Sequence, residues 1–415
     1  MTDLDLVKEI ASCLNNIFSE LESKDFSDRN REKAVEIWKQ RPKGGWYKEK
    51  ASGSAQSLDP WLQVDRFTMG HWNGFRRAIS GNSQFSEENE ILEILRVALT
   101  EIFRRSGNSL ETTGQVVNTV AQQLVSCLSS DEDNLCYLLA LVNFQANEDS
   151  FCVDKHITIR RFSEVEFNIF YPASGYDQRR LPVHCNYLAE FHQVVQVGDD
   201  YPKLAENELN HFLYTLHCTC PGAVVAERIL IKNPNPYRGQ QYTWRYNQGL
   251  RLGPPVDFSQ PMITDFQMWS RLLSGPISVC QKIALHQIVR ARMEKTALYK
   301  FVDAVIGLEA LLFADSAQYK MGLKFKKRYA AINPQDPNAE VKAEAVHNLR
   351  SKIIHGKSDQ VVSNHMKALA TAFQEPDILR AAELVCEMAI DTLKKSIVNP
   401  AFPTTEAAWM QLAPI

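Results

Sequence analysis

From residue 265 to 397, apolar residues recur at helical spacing almost without a break. Strands show a period of two instead, so this third of the chain must be packed helices. Each helix has to bury its apolar stripe against a neighbour. The stretch 298–312, LYKFVDAVIGLEALL, shows the pattern. At about 100° per residue, Leu298, Phe301, Val302, Val305, Leu308 and Leu312 share one face. Glu309 falls near the middle of that face. An ionised carboxylate left unpaired there costs roughly several kcal/mol, so Glu309 needs a cationic or hydrogen-bonding partner, a proton, or water at a seam.

The rest of the chain is mixed. Residues 1–23 read as an amphipathic helix, and 24–85 are polar and rich in turn formers. Trp38, Trp46, Trp61 and Trp72 within that stretch argue for packing over disorder. Helices are expected at 86–106 and roughly 112–144. Ser86 suits the cap of the first, with Glu87 and Glu88 in its first turn and Asn89 where a capping box wants Glu or Gln. Near residue 151 the period changes. Ile157 and Ile159 share one face of a strand, Thr158 and Arg160 the other. Ser163 and Glu166 then form a capping box for a helix. Strands are expected at 223–232 and 241–246, with loop at 233–262. The fold class expected is α+β, mostly α. A helical N-terminal region (1–150) precedes a mixed middle domain (151–264), a helical bundle (265–400) and a C-terminal tail (401–415).

Two features of the bundle bear on chemistry. YKMGLKFKKRYAAI (319–332) carries Lys320, Lys324, Lys326, Lys327 and Arg328 without an acid. Residues 281–330 hold ten Lys/Arg and four Asp/Glu, a local +6 in a chain of net charge −3. Phosphate contacts need such local charge, although a solvated helix face also produces it. The second feature is HNLRSKIIHGKS (347–358). Asp336 and Pro337 open a helix, and Val341, Ala345, Leu349 and Ile353 are its expected buried stripe. Arg350 lies beside that stripe, and Gly356 ends the helix in a left-handed cap. His355 sits at the terminus, where the macrodipole attracts a cation and Arg350 repels one, a setting suited to acid–base work. The alternative is a plain helix end, with His355 capping carbonyls and Arg350 solvated. Arg66/His71 and Arg179/His184 repeat the Arg-x4-His spacing, but in a turn-rich region and across Pro182, where no helix fixes their geometry.

Other chemistries find less support. Nine cysteines, an odd number with scattered spacings, read as reduced thiols. The N-terminus lacks the basic and apolar regions of a signal peptide, and no apolar run approaches the roughly 20 residues of a membrane span. A cytoplasmic protein without membrane contact is expected. His184, Cys185, His217, Cys218 and Cys220 suggest zinc, but Cys218 and Cys220 leave only one residue between them, and 207–217 reads as an amphipathic helix with these residues in its core. No Walker A or G-x-G-x-x-G fingerprint is present. No metal or cofactor is expected.

The ordered run FVDAVIGLEALLF…YKMGLKFKKRYAAI…HNLRSKIIHG resembles the Apea-like branch of the HEPN domains, over roughly residues 275–397. ITIRRFSEVE is similar, more loosely, to the segment that often precedes them; residues 1–150 resemble no named family. The resemblance implies a helical bundle acting as a metal-independent endoribonuclease, in a toxin or anti-phage effector. Arg-x4-6-His motifs of two protomers would then form one composite cleft. His355 would be the acid–base residue for attack of the ribose 2′-OH on the adjacent phosphate. Arg350 would hold that phosphate, and Glu309 would orient Arg350 or His355. Many active members carry Asn, Asp or His after the arginine; here Ser351 stands there, still able to hydrogen-bond. Other HEPN domains pair protomers or bind nucleotides without cutting, which leaves RNA or nucleotide binding by a homodimer as the alternative.

Overall fold

The computed structural model describes residues 3–22, 73–81, 88–107, 113–170, 185–196, 199–232, 241–244, 254–313 and 320–414. Trp38, Trp46, Trp61, Trp72, Ser86, Glu87 and the pairs Arg66/His71 and Arg179/His184 lie outside them. The described chain is α+β and mostly helical. Its contacts divide it into two compact units. One comprises residues 1–137, 191–202 and 230–243, the other 138–190, 203–229 and 244–415.

The first unit holds α1 (Asp3–Glu22), a helical stretch at 73–80, α2 (Glu88–Arg105) and α3 (Gly114–Leu128). They meet through Leu14, Phe75, Leu95, Leu99, Ala121 and Leu124, all buried. Thr113 caps α3, its hydroxyl accepting from Val116 N–H at 3.4 Å.

The helix expected over 112–144 stops at Leu128, and β1 (Glu132–Val142) follows. Its run LCYLLALV is buried on both faces from Leu138 onward. A strand covered on both sides carries no alternation, so period cannot separate it from a buried helix. Next come β2 (Phe144–Ala146), β3 (Ser150–Asp154), β4 (Ile157–Arg161), α4 (Glu164–Phe170), β5 (Tyr187–Gln196), α5 (Tyr201–Thr219), β6 (Val225–Lys232), β7 (Gln241–Trp244) and β8 (Val256–Phe258). Six strands form one sheet in the order β3-β4-β5-β1-β6-β7, and β2 pairs with β8 in parallel. The strand β8 lies within the stretch expected as loop.

Local expectations held where short-range chemistry decides. Ile157 and Ile159 are buried on one face of β4. Glu166 accepts from Ser163 N–H at 3.2 Å, and Ser163 Oγ accepts from Glu166 N–H at 3.3 Å, the reciprocal pair of a capping box. Arg160 donates to Glu166 at 2.8 Å and to Glu190 at 2.6 Å.

The C-terminal bundle comprises α6 (Met262–Ser274), α7 (Val279–Met293), α8 (Ala297–Leu312), α9 (Met321–Ile332), α10 (Ala339–Ile354), α11 (Asp359–Ala372), α12 (Ile378–Val398) and α13 (Glu406–Leu412). A continuous core runs through it from Trp269, Ile288, Phe301 and Leu308 to Leu349, Leu369, Val385 and Leu393. Two expectations are corrected. Residues 401–414, expected as a C-terminal tail, carry α13, which inserts Trp409, 2 % exposed, into that core. The buried stripe of α10 is Ala339, Ala343, Val346 and Leu349, while Val341 is 55 % exposed. A strict four-residue repeat drifts about 40° per step on a helix of 3.6 residues per turn, so it cannot stay buried over twelve residues. Asp336 stands in the turn ahead of α10: its carboxylate accepts from Asn338 N–H at 2.9 Å, and the helix opens at Ala339.

Candidate functional site

Helices α8 and α10 bring together two residues distant in sequence. Arg350 Nη2 donates to Glu309 Oε2 at 2.8 Å. This supplies the cationic partner that an acid on the apolar face of α8 requires. The Glu309 side chain is 15 % exposed and that of Arg350 31 %. Burial pushes the Glu309 carboxyl above its ordinary range, and the guanidinium opposes the shift.

The end of α10 is built as a Schellman motif. Gly356 takes φ 58°, the left-handed conformation that glycine adopts without a Cβ penalty. Its N–H donates to Ile353 C=O at 3.0 Å, and Lys357 N–H donates to Lys352 C=O at 3.1 Å. His355 is the capping residue, exposed, with its N–H donating to Ser351 C=O at 3.1 Å. No hydrogen bond or ion pair fixes the side chain of His355 or Ser351 among the described residues. Arg350 and His355 are five positions apart, which is about 140° round the helix and about 7.5 Å along it. Arg350 turns to the groove against α8, while His355 stands at the open end.

The basic residues of α9 and its N-cap do not form one surface. Lys324 is 7 % exposed and meets Glu406 at 2.9 Å. Arg328 is fully buried, donating to Leu312 C=O at 2.7 Å and to Glu406 at 2.5 Å, with its guanidinium over the Phe313 and Trp409 rings. Four residues apart, the two share the core-facing side of α9 and anchor α13. Lys327 reaches Glu340 at 3.1 Å, and Lys326 lies 3.5 Å from Glu344. Lys320, exposed, takes φ 53° at the start of the helix. Acids distant in sequence thus neutralise most of the run that reads as uniformly basic in the sequence.

His217, Cys218 and Cys220 are core residues, as the amphipathic pattern of α5 implied. His217 Nε2 lies 3.1 Å from Val224 C=O. Burial pushes both thiols up, that of Cys220 to about 12, the opposite of what a thiolate ligand or nucleophile needs. Cys185 is buried too, and His184 lies outside the described residues.

Sequence reasoning passed over two features. One is a buried ion network. Arg292, 1 % exposed, pairs with Glu383 and, at 2.9 Å, with Glu387, while Lys300 meets Glu383 at 2.8 Å. The other is His347, three residues before Arg350. Its ring packs 6.0 Å from that of Phe325, above Gly322. Compared with family models, with curated proteins and with solved structures, the chain matches none.

Proposed function

We propose that the C-terminal bundle is a metal-independent endoribonuclease of the HEPN type that works as a homodimer, in a toxin or anti-phage effector. The observation that carries this reading is the Glu309–Arg350 pair at 2.8 Å on the helix that His355 ends. The acid orients a guanidinium, and the same helix presents an imidazole to solvent. Arg350 binds the scissile phosphate and offsets charge in the transition state. His355 moves the proton of the 2′-OH or of the leaving 5′-oxygen. Because these two residues face different sides of α10, one phosphate reaches both most easily in a groove shared with a second copy. Apolar surface for such a copy exists: Tyr299, 61 % exposed, and Ile306, 37 %, lie seven residues apart on the helix bearing Glu309, and Ile354, 54 %, adjoins His355.

The test is cleavage of single-stranded RNA in EDTA by the full chain and by its His355→Ala and Arg350→Ala variants, with light scattering for the dimer. Products ending in 2′,3′-cyclic phosphate, lost in both variants, are expected. Unchanged cleavage by His355→Ala eliminates the mechanism. Ser351, standing where many active members of that family carry Asn, Asp or His, favours a second reading, a bundle that pairs protomers and holds RNA or a nucleotide without cutting. RNA binding without cleavage in the same assay selects it.

A further inference from the structure

We infer that His347 is a substrate-contacting residue of the Glu309–Arg350 site, an imidazole that holds the phosphodiester and adjacent 2′-hydroxyl of single-stranded RNA beside Arg350; this rests on the ribonuclease reading above. Three residues apart on α10, His347 and Arg350 lie about 60° from each other round the helix, close enough for neighbouring side chains to share one group. His355 is about 140° from Arg350, so within one chain His347 is the imidazole on the arginine's side of the helix.

The ring has a seat built for it. A Cβ on Gly322 would come within 2.7 Å of its Cε1 and 2.9 Å of its Nδ1, so only glycine at 322 leaves it room. Phe325, three residues on along α9, supports it at 6.0 Å between centroids. Neither ring nitrogen has a hydrogen-bond partner among the described residues, and neither is sealed from solvent. An apolar side chain would fill the same notch and bring no polar atoms needing partners. Burial first, and the charge of Arg350 second, hold the imidazole below its ordinary pKa. It therefore stays neutral at pH 7, with one N–H donor and one acceptor nitrogen. The donor suits a phosphate oxygen and the acceptor a 2′-hydroxyl, a pairing that DNA cannot complete.

The test measures binding of a labelled single-stranded RNA 20-mer and its DNA equivalent to the full chain carrying His355→Ala, which blocks cleavage in the proposed mechanism. Adding His347→Ala should weaken RNA binding about tenfold, the cost of one lost hydrogen bond to a charged group, with a smaller effect on DNA. His347→Gln, which keeps a donor and an acceptor, should restore most of it. In the cleaving chain, His347→Ala should raise KM and lower kcat only in part, whereas His355→Ala removes kcat. If His347→Ala fails to fold, Gly322→Ala, which displaces the ring, replaces it and must give the same loss. Equal RNA affinity with and without His347, in a chain that still cuts RNA, overturns this inference alone, as does a loss that His347→Gln leaves uncorrected. A wild-type chain that neither binds nor cuts RNA overturns the ribonuclease reading with it.

Discussion

The Arg350 guanidinium meets the Glu309 carboxylate at 2.8 Å, the two residues lying 41 positions apart in the chain. Each explains the other's place. Without Arg350, burial would leave Glu309 protonated or costly; without Glu309, nothing would aim the arginine along the groove. A double-mutant cycle between Glu309→Gln and Arg350→Met should give a coupling of about 1–2 kcal/mol in urea unfolding. Glu309→Gln alone should also slow RNA cleavage, by releasing the guanidinium. Additive effects on stability would mean that the two side chains do not act as a pair.

Lys326 and Lys327 are masked by Glu344 and Glu340 of α10. If RNA passes this face, removing the acids strengthens binding. The variant Glu340→Gln/Glu344→Gln should bind single-stranded RNA several-fold more tightly at low salt, with a salt slope steeper by roughly 0.7 for each lysine that reaches a phosphate. Anisotropy titrations across a salt series read both numbers, and an unchanged slope would place the RNA elsewhere.

Arg292 is the hub of the buried network, in contact with Glu383, Glu387 and the His217 carbonyl. Arg292→Ala strands Glu383 in the core beside Lys300 and should cost about 3–5 kcal/mol. A much smaller loss in equilibrium unfolding would show that water or a second cation reaches Glu383.

His217, on α5, gives the second compact unit a pH dependence. Burial first, then the charges of Arg292 and Lys300, lower its pKa to about 4, against an ordinary value of 6.5. The folded imidazole stays neutral, while the unfolded one takes a proton below pH 6.5. Its contribution is therefore complete above that pH and is lost as pH falls toward 4, amounting to roughly 3 kcal/mol over the window. The difference in unfolding free energy between wild type and His217→Asn should shrink by about this amount between pH 7 and pH 4; a constant difference would show that His217 protonates in the folded chain.

The features legible in the sequence are those that neighbouring residues decide. The helix over 3–22, the Ser163–Glu166 cap, the inward face of 157–161 and the glycine stop at 356 all depend on contacts within a few residues. Charge was read less well. Lys324 and Arg328 looked like surface because their partner Glu406 is 78 residues from Arg328, too far for any local pattern. The strand half of 112–144 was missed because burial on both faces erases the alternation that marks a strand.

The sequence by itself determined that Glu309 needs a partner, a proton or water, that Arg350 stands beside the apolar stripe of its helix and that His355 occupies the end of that helix, since each follows from helical period and capping chemistry. Only the tertiary structure decided that the partner is Arg350, that most of the basic run is turned inward or neutralised, and that Gly322 seats His347 on the arginine's side of α10. Those choices depend on which helices pack together. Helix packing is settled by the fit of whole faces across long sequence separations, and no short stretch of the chain records it.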